Sequence, residues 1–182
     1  MTPPEGTTIR RADEGDASRI ASIHVRSKRV AYRAFMPDGY VDTLDQDEHR
    51  LNRWQPYFAA GIPENRAWIA FVRGIPAGFV ALERIRQPDT APAGYLHLHH
   101  LHIAPEFRGR GIGQALLDTA VEDARSQGTA GLALWTQAGN GEARAFYERA
   151  GWQPDGAERG QQYRWEGGEF TMDDVRYVRS LD

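Results

Sequence analysis

Cysteine is absent from the 182-residue chain, which excludes disulfides, thiolate metal sites and a cysteine nucleophile. Lysine is nearly absent: Lys28 stands alone, and arginine supplies the remaining positive charge. Neither sign of charge is in large excess. The formal net charge of −3 gives no electrostatic reason to expect nucleic acid or an acidic membrane surface as a partner. Long hydrophobic runs are missing too, and no stretch approaches the ~20 apolar residues of a membrane-spanning helix. The opening MTPPEGTTIRRADEGD lacks the apolar core of a signal peptide. A soluble, cytoplasmic protein is the simplest expectation, a monomer or homodimer, since no exposed apolar seam is legible. What is present suffices for a core: 41% of the residues are hydrophobic, and the length favours one domain over 1–182.

Residues 8–11 can form a short strand. Asp16 can cap a helix in which Ile20, Ile23, His24, Ser27 and Ala31 recur at helical spacing. FMPDGYVDTLDQDEH carries turn signals, and LNRWQPYFAAG predicts a second short helix stopping at Gly61. WIAFVRG and PAGFVALERI flank Gly74 and Pro76 as an antiparallel hairpin, and YLHLHHLHIA is the next strand. From Gln114 to Gln127, residues Leu116, Leu117, Ala120, Val121 and Ala124 make one apolar stripe, with Gly128 beyond the end. GLALWTQ is a buried strand, Asn140 can cap a helix to Ala150, and QYRW with FTMDDVRYVRSL predicts a hairpin turning at Gly167 and Gly168. The order β-α-α-β-β-β-α-β-α-β-β implies a layered α+β domain.

The segment Arg108-Gly109-Arg110-Gly111-Ile112-Gly113 joins a predicted strand to a predicted helix. Such a loop aims backbone N–H groups at one point, where the helix dipole adds positive potential, so a pyrophosphate is the natural guest. A nucleotide P-loop would need Gly-Lys-Ser/Thr, and no lysine is near. A dinucleotide fingerprint would need glycine where Gln114 stands.

The pattern R-x-x-G-x-G resembles the coenzyme A loop of the GCN5-related N-acetyltransferases. A second segment, NGEARAFYERAGW at 140–152, resembles that family's other signature: an Asn, an Ala three residues on, an aromatic–Tyr pair, and Gly before an aromatic. The resemblance implies a mixed, mostly antiparallel sheet of about seven strands flanked by about four helices, splayed between strands four and five. It implies acetyl-CoA as cofactor, its pyrophosphate held by the backbone of Arg108 to Gly113. The backbone of Leu101, His102 and Ile103 would run beside the pantetheine, with Asn140, Ala143 and Phe146 contacting it. Tyr147 would protonate the departing thiolate, turned toward the cofactor while Phe146 turns toward the core.

Acetyl transfer from a thioester to an amine needs a neutral amine, although a free alkylamine has a pKa of roughly 10. It also needs fixed donors for the oxyanion and a proton for the thiolate. On a regular strand His97 and His99 share one face, and His100 and His102 the other unless a bulge intervenes. His97-Leu98-His99 resembles the His-Leu-His of the arylalkylamine N-acetyltransferases, where such a pair helps deprotonate the amine. An imidazole with a pKa near 6.5 suits that task, and Glu83 on the preceding strand is the alternative base. No metal site is expected, because His24 and His49 stand alone in the sequence and a strand pair needs further ligands.

By the same resemblance the acceptor enters between the loop joining the first two helices and the C-terminal hairpin. Phe35, Met36, Tyr40 and Trp54 are the candidate contacts, with Tyr57, Tyr163, Trp165 and the acids Asp38, Asp42 and Asp45 nearby. Aromatics with carboxylates suit an amine cation carrying a ring or apolar group. A small-molecule amine is therefore favoured, with a protein N-terminus or side chain, and a non-catalytic acyl-CoA sensor, as alternatives.

Overall fold

The computed structural model describes residues 2–44, 53–83 and 91–181. Seven strands form one sheet: β1 (Thr7–Arg11), β2 (Arg66–Val72), β3 (Ile75–Glu83), β4 (Tyr95–Ile103), β5 (Gly131–Gln137), β6 (Gln153–Trp165) and β7 (Gly168–Ser180). Their order is β1-β2-β3-β4-β5-β7-β6, antiparallel throughout except for the parallel pair β4–β5. Five α-helices lie among the described residues: α1 (Ala17–Tyr32), α2 (Asp38–Thr43), α3 (Trp54–Ala59), α4 (Ile112–Ser126) and α5 (Gly141–Arg149). The expected α+β class and seven strands agree with this. The helices number one more than the four expected.

The periodic segments fold as their spacing predicts. In α4 the whole stripe of Leu116, Leu117, Ala120, Val121 and Ala124 is buried. The β2–β3 hairpin turns on Arg73 (φ 50°) and Gly74 (φ 80°), the paired positive angles that match the twist of adjacent strands. The additional helix, α2, lies where only turn signals were read. At six residues it is too short for periodicity, and it is held by burial of Tyr40 and Val41. Asp16 precedes α1 without capping it through its side chain. Its buried carboxylate instead accepts from Arg10 at 2.7 and 2.8 Å, and also from the Asp13 amide.

The C-terminal hairpin is longer than predicted, for β6 begins at Gln153 rather than Gln162. Its polar, glycine-bearing start carries no strand signature. As the sheet edge it needs none, since it pairs only with β7 and is largely exposed, with a bulge between Pro154 and Glu158. The turn falls at Glu166–Gly167, with Gly168 already in β7. Any side chain at Gly167 would meet the Trp165 indole, its nearest atom only 2.6 Å from a Cβ. No described helix is long and apolar enough to cross a membrane.

Candidate active site

Strands β4 and β5 pair only at Tyr95–Gly131, Leu96–Leu132 and His97–Ala133. Beyond that point β4 runs on to Ile103 and β5 to Gln137 without pairing, so the sheet opens between them. The two parts of the site are built differently.

In one part, Ala104 leads through a 3-10 turn at Pro105–Phe107 into the glycine loop. Gly109 (φ 70°) and Gly111 (φ 79°) take left-handed angles, and Gly111 is the N-cap of α4. A side chain at either position would be strained. The first-turn amides of α4 have no acceptor within the helix and converge toward the loop. Main chain arranged in this way can hold an anion. The arginine side chains are engaged elsewhere: Arg108 pairs with Glu142, and Arg110 lies 5.8 Å from the centroid of the Phe107 ring. Gly113 admits close packing of Ile103 and Phe146, 3.6 and 3.7 Å from where its Cβ would sit.

Helix α5 completes this part. Asn140 accepts from the Ala143 amide at 3.1 Å, so the side chain expected on the pantetheine is the helix cap. Of the aromatic pair, Phe146 is half-buried and faces Gly113. Tyr147 is the deeper, packed on Trp152 and Tyr177 at 5.9 and 6.3 Å between centroids. The expectation that Phe146 alone turns inward is therefore corrected. Burial raises the pKa of the Tyr147 hydroxyl, keeping it protonated.

The other part is set by one extra residue. Ala81 faces His100 across the β3–β4 ladder and Leu82 faces Leu98, so His99 is a bulge. The strict alternation expected for the histidines is thereby broken. His97, opposite Glu83, now shares a face with His100, opposite Ala81, and His102, opposite Phe79. His99 turns to the same face, its Nδ1 hydrogen-bonded to Glu83 Oε2. The rings form a row: His97–His99 at 4.9 Å, His99–His100 at 4.2 Å, and His100–His102 at 5.6 Å between centroids. His24 of α1 closes it, 4.7 Å from His100 and 4.5 Å from His102, and so does not stand alone. His49 and Asp45 lie outside the described residues.

Electrostatics sorts these groups. Burial, reinforced by the charge of His99, pushes the His97 pKa down to about 3, so this ring is neutral at pH 7. Burial would raise Glu83. The hydrogen bond from His99, with the Arg53 guanidinium nearby, outweighs it and holds the carboxylate ionised. Burial drives His100 and His102 well below the ordinary histidine value as well. Glu83 is therefore the group with its charge in place, and His99 is the histidine bonded to it.

Beyond the pair stand groups that sequence reasoning missed. Asp174 of β7 lies opposite Gln137, is buried, and has Arg159 3.3 Å away. Burial raises its carboxyl against that pull. Arg159 stacks 4.3 Å from the Trp135 centroid. Burial likewise pushes Tyr163 up to about 12. No local pattern marks Asp174 or Arg159, whereas Tyr163 is already among the aromatics expected on the acceptor side.

The expected acceptor residues divide. Met36 and Tyr40 are buried in a second apolar cluster with Tyr163, Trp165, Phe170 and Met172, so the helix-joining segment does meet the C-terminal hairpin. Phe35 lies at its edge, 3.7 Å from where a Gly139 Cβ would sit. Trp54 is different. It is fully buried against His24, Phe79 and His100, and Tyr57 donates to the Leu82 carbonyl at 2.6 Å; both are core residues of α3, because the helix buries its aromatic face on the sheet. Asp38 and Asp42 are both bonded to Arg33, at 3.2 and 2.6 Å, and so are already paired with a cation.

A sheet opened between its parallel pair, with a glycine loop at a helix start and titratable side chains along the same strand, is an arrangement that can serve group transfer from a phosphate-bearing donor. The acetyltransferase (GNAT) family profile matches residues 28–152, and the chain belongs to that family. An uncharacterized N-acetyltransferase of Methanocaldococcus jannaschii is 29% identical over 146 residues, 80% of this chain, which spans 60% of that protein's length. One from Archaeoglobus fulgidus is 30% identical over 139 residues, covering 76% of this chain and 88% of that protein. Among solved structures, yncA, described as a putative acetyltransferase from Salmonella typhimurium with its cofactor acetyl-CoA, superposes with a TM-score of 0.69. It shares 21% identity over 98% of this chain and 95% of its own.

Proposed function

We propose that this chain, acting as one domain, transfers the acetyl group of acetyl-CoA to a primary amine of a small molecule by direct attack in a ternary complex. The observation that carries this reading is the shared opening in the sheet. The glycine loop follows the unpaired end of β4 and the Glu83–His99 pair sits at the β4 bulge, so donor and acceptor can meet along this strand without a covalent enzyme intermediate. Acetyl-CoA would supply the acyl group as an activated thioester. Glu83 accepts the Nδ1 hydrogen of His99, which fixes the ring and leaves Nε2 to take the proton of the attacking amine. His97, held neutral, shapes the site and is not the base. A β4 backbone amide in the unpaired stretch serves the oxyanion. Tyr147, kept protonated by burial, gives its proton to the thiolate as the carbon–sulfur bond breaks.

The aromatic cluster of Tyr40, Tyr163 and Trp165 supports an amine bearing a ring or apolar group. The test is thiol release from acetyl-CoA with a colorimetric thiol reagent across a panel of amines, and the chain's lack of cysteine removes the background. Release with arylalkyl or other small amines is expected. Cofactor binding without release from any small amine would overturn the small-molecule assignment and point to a macromolecular acceptor or a sensor.

A further inference from the structure

The proposed chemistry uses Glu83, His97 and His99 but leaves the inner end of the histidine row without a task. His100 and His102, two residues apart on β4, share the face that meets α1, and α1 brings His24 against them. One nitrogen from each of these three side chains lies within 4.8 Å of the others. His100 Nε2 is a buried polar atom that finds no hydrogen-bond partner among the described residues, in a residue only 5% exposed. An imidazole nitrogen left in that state is costly, so its retention calls for a compensating ligand.

We propose that His24, His100 and His102 form a binding site for a divalent transition metal ion of the zinc class, separate from the acetyl-transfer groups. Two histidines at i and i+2 of a strand with a third from a neighbouring element give three converging nitrogens, a known donor set for zinc, and a fourth position is open to water or a further ligand. Imidazole donors select zinc, copper, nickel or iron over magnesium or calcium, which require oxygen. Burial keeps His100 and His102 neutral near pH 7, which is the form that ligates. Trp54 and Phe79 wall the cluster, lying 5.1 and 6.2 Å from the His100 ring and 6.0 and 6.1 Å from His24. Ser27 Oγ lies 3.3 Å from His102 Nδ1, a contact that can orient the ring as an outer partner does for a metal ligand, leaving its other nitrogen for the ion. Glu83, His99 and His100 also lie within 4.8 Å of one another. The inner trio is favoured because Glu83 and His99 already satisfy each other.

The experiment uses the full chain with any affinity tag removed, stripped with a chelator and titrated with zinc chloride by calorimetry. Metal content after desalting is measured in parallel. One ion per chain is expected, with a rise in melting temperature, because an ion that binds only the folded chain stabilises it. Cobalt(II) in its place should give the visible bands of a four-coordinate ion. His24→Gln and His102→Gln should each weaken binding by at least about tenfold, whereas Glu83→Gln should not. His102 is less buried than His24, so its variant is the one expected to fold if the His24 one does not. Three results would overturn the site: no saturable binding by the unmodified chain, unaltered affinity in the folded His102→Gln variant, or loss confined to Glu83→Gln. None depends on acetyl transfer, so the two readings fail separately.

Discussion

The glycine loop and the histidine row, both built on β4, are made of different material. The glycine loop offers backbone amides, placed by residues 104–113 and two left-handed glycines. On the histidine side the working groups are side chains gathered from α1, β3, β4, β6 and β7, segments far apart in sequence. Main chain at a helix start presents the same donors whatever the neighbouring side chains are, so it suits a donor molecule common to many reactions. Side chains from remote elements can change one at a time, so they suit an acceptor that differs from enzyme to enzyme.

If the contrast is right, damage to backbone geometry should cost donor binding, and damage to side chains should cost rate. The largest effect is expected from Gly111→Val, which forces a β-branched residue to φ 79° and places it at the anion site. Affinity for acetyl-CoA should fall on the order of 100-fold or more, beyond the ~1–3 kcal/mol of backbone strain alone. Gly128→Val is the control, since Gly128 has a similar angle of 68° and open space but lies at the far end of α4. Similar losses of cofactor affinity in both variants would break the comparison.

Next comes Glu83→Gln. Loss of the carboxylate that orients His99 should lower kcat by about 10² while the KM for acetyl-CoA stays put. A rise in that KM with kcat intact would place Glu83 on the wrong side of this contrast. Tyr147→Phe should cost less, about tenfold or somewhat more in kcat, because solvent can replace a proton donor in part. Unchanged turnover would demote Tyr147 to a core aromatic.

The smallest effect is on stability. His97, His100 and His102 have native pKa values depressed below the unfolded histidine value near 6.5. A depressed histidine contributes fully above that pH. Its contribution is lost as pH falls below 6.5 toward the native value, because the unfolded chain takes up the proton first. Each group should add at most about 1.4 kcal/mol of destabilisation per pH unit in that window. Thermal melts from pH 7.5 to 5 should show it, and replacing His102 by Gln should flatten the slope. A melting temperature independent of pH across this range would contradict the burial argument.

Much of the fold was legible because its elements are locally encoded. The α4 stripe, the Arg73–Gly74 hairpin and the Asn140 cap each follow from neighbouring residues, and so does the glycine loop. Less legible were the elements held by partners rather than by their own pattern. Strand β6 exists because β7 pairs with it, and α2 because the hairpin covers Tyr40. Trp54 carries no sign in its own segment that it belongs to the core instead of the acceptor surface.

By itself the sequence determined the family, the glycine loop and the absence of a cysteine nucleophile, since each of these resides in contiguous residues or in composition. Only the tertiary structure decided how the histidines are used. One extra residue in β4 puts all four strand histidines on a single face, and the packing of α1 on that face adds His24. A bulge is a mismatch between two strands and has no signature in either one alone, so the distinction between His97 and His99, and the inner cluster itself, could come only from the folded sheet.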